Sequence, residues 1–111
     1  MIKDFRFFDD CWEYIQEHLK IGDVISHWSV AGQFEDKEFV ILEISEYGLE
    51  IQNSEKASRQ VSKKDFEKVF LVWEEYIQGK ILRRDLRDIP NKNTTYVISL
   101  LHKFDSEEME V

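Results

Sequence analysis

The chain has 111 residues, of which 42% are hydrophobic and 14% aromatic, enough for one domain that builds its core without disulfides or a structural metal. Its formal net charge is −8, which argues against non-specific attraction to nucleic acid or anionic lipid. One cysteine, no signal-peptide pattern and no apolar stretch of membrane-spanning length lead us by elimination to expect a cytoplasmic protein without membrane contact.

The first predicted element is a helix from about Asp9 to Lys20. Its apolar residues recur at offsets 0, 4, 7 and 11, which places them on one helical face: Phe8, Trp12, Ile15 and Leu19. Gly22 lies just past the last of them, where a residue that ends a helix is expected.

The next part of the chain reads as strands. We predict strands at 24–31, 38–45 and 49–53, and a weaker one at 57–61. The second contains the short apolar run 39–42, typical of a central strand buried on both faces, whereas Leu49 and Ile51 alternate with polar residues, as in a half-exposed strand. Short connections between these strands favour an antiparallel meander.

The last part of the chain is predicted to be helical. Ser62 opens a variant capping box with Asp65, and a helix with a clear apolar face continues to Gly79. A short helical segment at 80–88 and a turn at Pro90 precede a last helix, from Asn93 or Thr94 to Phe104. Grouped strands and helices indicate an α+β domain over 1–104, followed by a frayed acidic tail at 105–111.

No catalytic signature accompanies this architecture. Cys11 adjoins an apolar helical face, and the three histidines share no short metal-ligand spacing with one another or with the cysteine. Asp23 and Glu43 only weakly resemble a metal-dependent nuclease pair, because Ser45 stands where a lysine belongs. We therefore expect a non-enzymatic interaction module with no cofactor and no metal.

Charge is distributed unevenly along the chain. Residues 1–55 contain 4 basic and 13 acidic residues, residues 56–104 contain 11 basic and 6 acidic residues, and residues 105–111 contain 4 acidic residues and no basic one. Such asymmetry points to interaction surfaces, although runs of charge also simply solvate a surface. Two hypotheses of opposite sign follow.

The first hypothesis is that the basic helical half binds nucleic acid. Its element order resembles a helix-turn-helix, with the last helix entering the major groove by its N-terminal end. Basic side chains would hold phosphates: Lys63, Lys64, Arg83, Arg84, Arg87 and Lys92. Polar side chains off the apolar stripe of the last helix would read bases: Asn93, Thr94, Thr95, Tyr96 and Ser99.

The second hypothesis is that the acidic half occupies the basic groove of a nucleic-acid-handling protein, as viral and mobile-element inhibitors do. The physical basis is electrostatic complementarity and steering. The carboxylates assigned to this surface are Glu13, Glu17, Asp23, Glu35, Asp36, Glu38, Glu46 and Glu50.

A third possibility is an exposed strand edge that binds a peptide or a second copy of the chain, which would make a homo-oligomer. The strands at 49–53 and 57–61 are the candidates for this edge. Trp28 would then be a partly exposed anchor, or else a core residue.

Overall fold

The computed structural model describes residues 5–86 and 91–106. One helix precedes four strands and further helices follow, so the predicted α+β class is confirmed. In chain order the elements are α1 (Phe8–His18), β1 (Val24–Ser29), β2 (Gln33–Ser45), β3 (Gly48–Gln52), β4 (Ser58–Ser62), α2 (Lys63–Leu71), α3 (Trp73–Ile77), a 3-10 turn (Arg83–Asp85) and α4 (Asn91–Ser106). None of the helices in the described ranges is long and apolar enough to cross a membrane.

Several boundaries differ from those predicted. The single helix expected over 62–79 divides at Val72, whose φ of −121° and ψ of 17° interrupt the helical backbone between α2 and α3. The last helix begins at Asn91 and continues through Asp105, whose carboxylate accepts a hydrogen bond from Trp73 Nε1 at 3.2 Å. Asp105 is therefore packed against α3 and is not part of a frayed tail, while residues 107–111 lie outside the described ranges.

The four strands form one antiparallel sheet in the order β1-β2-β3-β4. β2 is the longest strand and contains two irregularities. Opposite β1 it carries extra residues between Phe34 and Glu38, and opposite β3 it carries an extra residue between Ile41 and Glu43. A bulge of this kind changes which face of the sheet the following side chains occupy.

One face of the sheet forms the hydrophobic core with the helices. Strand residues that are almost completely buried on this face are Ile25, Phe39, Ile41, Leu49, Ile51 and Val61. They pack against apolar residues of the helices, including Trp12 and Ile15 of α1, Phe66 of α2 and Leu101 of α4. The helical periodicity identified these faces correctly, because burial of one apolar stripe is what holds a helix on a sheet.

The two outer strands of the sheet are bonded to the helices through side chains. Ser99 Oγ of α4 accepts a hydrogen bond from Trp28 N of β1 at 2.9 Å, and the Tyr76 hydroxyl of α3 accepts one from Val30 N at 3.2 Å. At the opposite edge, Asn93 Nδ2 donates to Gln60 O of β4 at 2.9 Å. Outward-facing backbone groups of both edge strands thereby gain partners.

α2 begins where the sequence places its cap. Ser62 Oγ accepts a hydrogen bond from Asp65 N at 3.3 Å, which is the first half of the predicted capping box. The Asp65 side chain is buried and lies 3.5 Å from Asn93 Nδ2. The start of α2 is thus tied to the start of α4.

Candidate binding surfaces

The basic side chains assigned to phosphate binding lie in different environments. Lys63 forms an ion pair with Asp9 of α1 at 3.5 Å, whereas Lys64 at the start of α2 is exposed. Arg83 and Arg84 are exposed on the 3-10 turn, and Arg83 Nη2 donates a hydrogen bond to Thr95 Oγ1. Arg87 lies outside the described residues, as does the side chain of Lys92.

Four of the five side chains assigned to base reading are buried: Asn93, Thr94, Tyr96 and Ser99. Asn93 and Ser99 bond to the edge strands, and the Tyr96 ring packs edge-on against His27 and Phe39. Thr95 alone is half-buried. The expectation that these side chains face a DNA groove is therefore wrong, because the face of α4 that carries them is packed on the sheet.

The acidic side chains assigned to protein binding are mostly exposed. Asp23 and Glu50 are half-buried, and Asp23 Oδ2 accepts a hydrogen bond from Lys20 N at 2.9 Å. The others are exposed on α1, on the first half of β2 and in the β2–β3 turn: Glu13, Glu17, Glu35, Asp36, Glu38 and Glu46.

The second face of the sheet, which we call the open face, carries the strand side chains that alternate with the buried ones. All of them are exposed or half-buried: Val24, Ser26, Glu38, Val40, Glu43, Glu50, Gln52, Ser58 and Gln60. The charged members of this set are the three glutamates. The open face is thus a polar, acidic surface with a small apolar part at Val24 and Val40.

Glu43 and Glu50 lie directly opposite each other on β2 and β3. Like charges in this position destabilise a sheet. A depression of about 430 Å³ adjoins them; Asp65 also lines it, and none of the described residues that line it is a lysine or arginine. A second depression of about 560 Å³, next to Glu38, is lined by both acids and lysines, among them Asp36 and Lys37.

Glu43 was not among the acids that the sequence assigned to protein binding, and strict alternation from Phe39 and Ile41 would point it into the core. The bulge between Ile41 and Glu43 reverses the phase, so that Glu43 lies on the open face and Ile44 packs against the core. Ile41 and Ile44 are three residues apart, whereas strict alternation would place them two apart. This spacing is the signal in the sequence that could have revealed the bulge.

α1 brings further acidic residues close to the end of the open face. Gln16 Nε2 donates to Ser45 O at 2.7 Å, and Trp12 Nε1 donates to Glu46 O at 3.1 Å, which fixes α1 against the β2–β3 turn. Glu13, three residues before Gln16, is its exposed neighbour on the helix surface, and Glu17 is also exposed.

A separate polar cavity of about 270 Å³ lies between the sheet and α4. It is lined by residues of β1, β4, the 3-10 turn and α4, and by the β3–β4 turn: His27, Arg59, Arg83, Thr95, Tyr96, Asn53 and Glu55. Among the described residues, His27 Nε2 and Arg59 Nε are buried nitrogens without a hydrogen-bond partner. Burial lowers the pKa of His27, as do the nearby Lys37 and Arg83, while Glu35 opposes them.

The remaining candidates for chemistry are the cysteine, as a nucleophile, and a possible metal site. Cys11 is buried, and desolvation together with the nearby Asp105 raises its pKa to about 12, so the thiol is neutral and unreactive as a nucleophile. Within residues 5–86 and 91–106, no cluster of three His, Cys, Asp or Glu side chains could hold a metal ion.

The edge-strand hypothesis is corrected in two respects. Of the two strands proposed as an exposed edge, β3 lies inside the sheet, and only β4 lies at an edge. Trp28 is only 7% exposed and its ring stacks on His102 at 3.8 Å between centroids, which makes it a core residue and not an interface anchor.

Comparisons of the chain with protein-family models, with curated proteins and with solved structures give no match.

Proposed function

We propose that this chain is a non-enzymatic binding module whose open face docks on the basic groove of a cytoplasmic nucleic-acid-handling protein. One observation carries the proposal: Glu43 and Glu50 oppose each other across the β2–β3 ladder and border a depression in whose lining no described residue is basic. Held side by side, these two carboxylates lower the stability of the free protein. A basic partner converts that repulsion into attraction.

The shape of the surface also supports the proposal. The open face is a sheet surface whose side chains leave the backbone at fixed strand positions, so the spacing of its glutamates along the strands is set before binding. Glu38 extends the acidic set along β2, and Glu46 extends it into the β2–β3 turn. A regular array of carboxylates on a rigid sheet is the arrangement by which an acidic protein competes with nucleic acid for a basic groove.

Nucleic-acid binding by the basic half is the weaker candidate. Arg84 and Lys64 are exposed and available to phosphates. However, the side chains that would read bases are buried against the sheet, and Lys63 is paired with Asp9. Phosphate contacts without base contacts would give affinity without sequence selectivity.

The test compares two variants of equal charge. The open-face variant is Glu38→Gln, Glu43→Gln and Glu50→Gln; the control variant is Glu67→Gln, Glu74→Gln and Glu75→Gln, at exposed positions on α2 and α3. Each immobilised protein is incubated with cell lysate at low salt, and retained proteins are identified by mass spectrometry. We expect the wild type and the control to retain the same nucleic-acid-binding protein and the open-face variant to lose it.

Two outcomes would contradict the proposal. One is equal retention by the open-face variant and the control, which would mean that net charge and not the open face determines binding. The other is retention only of proteins that do not bind nucleic acid. Unfolding would not explain a loss, because replacing Glu43 and Glu50 removes a repulsion and should leave the free energy of unfolding unchanged or raised.

A further inference from the structure

The cavity lined by His27, Arg59 and Arg83 supports a second inference, which does not rest on the open face. Two of its wall residues have buried nitrogens, His27 Nε2 and Arg59 Nε, without a hydrogen-bond partner among the described residues. Buried polar atoms of native proteins nearly always have partners, because a buried donor without one is costly. His27 itself is only 9% exposed.

The cavity is rich in hydrogen-bond donors. Arg59 and Arg83 contribute two guanidinium groups, neither of which forms an ion pair with a described acid. Thr95 Oγ1 accepts a hydrogen bond from Arg83, so its hydroxyl hydrogen remains free to donate. Asn53 Oδ1 accepts from Glu55 N and Ala57 N, so the side-chain NH₂ is the group that Asn53 offers a ligand.

We propose that this cavity binds a phosphate group, held by Arg59 and Arg83 with Thr95 as an additional donor. Guanidinium groups match the oxygens of phosphate in geometry and charge, and hydrogen bonds between ions are stronger than neutral ones. Arg59 Nε and His27 Nε2 are closed to the cavity, so the phosphate is held by the NH₂ groups of the guanidinium ions; one of them, Arg59 Nη1, also donates to Ser58 O at 3.3 Å.

One lining residue opposes this binding. Glu55 is exposed in the β3–β4 turn and carries a carboxylate that repels a phosphate. Because it is exposed, its side chain can rotate into solvent. Replacing it with glutamine should therefore strengthen phosphate binding, a result that a purely structural role of the cavity does not produce.

The test is isothermal titration calorimetry in a phosphate-free buffer. The probes are inorganic phosphate, a mononucleotide and a single-stranded oligonucleotide without terminal phosphates, with acetate as the control anion. We expect saturable binding of phosphate that falls about tenfold or more in Arg83→Gln and in Arg59→Gln, because each loses a charged hydrogen bond. Arg84→Gln is the matched control, since Arg84 adjoins Arg83 but does not line the cavity.

The probes separate two sources of the phosphate. Tighter binding of the mononucleotide identifies a small phosphate ester as the ligand, and tighter binding of the oligonucleotide identifies a nucleic-acid backbone. Three results would overturn the proposal: no saturable binding of any phosphate probe, equal binding of acetate, or an equal loss in Arg84→Gln. Because Arg83 is exposed, its variant should keep the fold, and circular dichroism verifies this.

Discussion

At the scale of single residues, the buried polar side chains of α4 connect the helix to both edges of the sheet. Ser99 bonds to Trp28 N of β1, and Asn93 bonds to Gln60 O of β4. Each side chain gives an outward-facing backbone group a partner that solvent would otherwise supply. These bonds fix the direction of α4 across the sheet in addition to its apolar packing.

Replacement of Ser99 with alanine should therefore destabilise the protein. The variant leaves Trp28 N buried without a partner, which costs about 1–3 kcal/mol in the free energy of unfolding. Ser54→Ala, in an exposed turn, is the control and should change stability little. Urea denaturation measures both variants. A Ser99→Ala protein as stable as the wild type would mean that this hydrogen bond does not hold the edge strand.

The sequence identified these polar residues but not their role. It placed Asn93 and Ser99 off the apolar stripe of the last helix, which suggested a solvent-facing, base-reading surface. Their partners lie 33 and 71 residues away in the chain. A pattern within one helix cannot identify hydrogen bonds to backbone groups of distant strands. The same sequence pattern is therefore expected whether these polar side chains are buried or exposed.

Two histidines, the buried His27 and the half-buried His102, give the stability of the protein a pH dependence. Desolvation lowers the pKa of both His27 and His102 below the ordinary value of 6.5. The folded state therefore binds fewer protons than the unfolded state near that value. Stability is complete above pH 6.5 and decreases as the pH falls from there through the lowered pKa values.

This dependence is measurable by chemical denaturation at a series of pH values. We expect the free energy of unfolding to decrease from pH 7.5 to pH 5.5, and the decrease to become smaller in His102→Gln, because one of the two groups that resist protonation is removed. His18 is exposed and serves as the control position. Equal pH dependence in the wild type and in His102→Gln would show that His102 does not contribute.

At the scale of elements, β2 determines which side chains reach the open face. Its two irregularities lie on either side of the regular segment that contains Phe39 and Ile41. Alternation of apolar and polar residues predicted β3, since burial of one sheet face imposes a period of two. The apolar run 39–42 predicted β2 as buried on both faces, which is wrong, because Val40 lies half-buried on the open face. Neither pattern predicted the bulges, because a bulge depends on the partner strand as well as on the strand itself.

The helical elements were predicted from their apolar periodicity with errors at the ends. α2 and α3 share one apolar face, on which Phe66, Val69 and Trp73 are buried, so the break at Val72 leaves the pattern intact. The extension of α4 to Ser106 was missed, because the hydrogen bond from Trp73 to Asp105 joins residues 32 positions apart.

At the scale of the whole molecule, glutamates and arginines gather at different places, although neither place is of one sign throughout. Glutamates occupy the open face of the sheet, whereas Arg59 and Arg83 line the cavity on the side of the sheet that packs against α4. The sequence indicated this division as a split along the chain, but only the fold shows that Glu43 joins the acidic surface and that Arg59 lies with Arg83. We therefore propose different ligands for the two places, a basic protein groove for the open face and a phosphate group for the cavity.

Competition between the open face and nucleic acid can be measured directly on a DNA column. Nucleic-acid-binding proteins from a lysate are loaded on duplex DNA–cellulose, and the column is washed with equal concentrations of the wild type, the open-face variant or the control variant. We predict that the wild type and the control release the same protein from the DNA, and that the variant lacking Glu38, Glu43 and Glu50 releases none. Release by the open-face variant at the wild-type level, or no release by the wild type, would contradict the account.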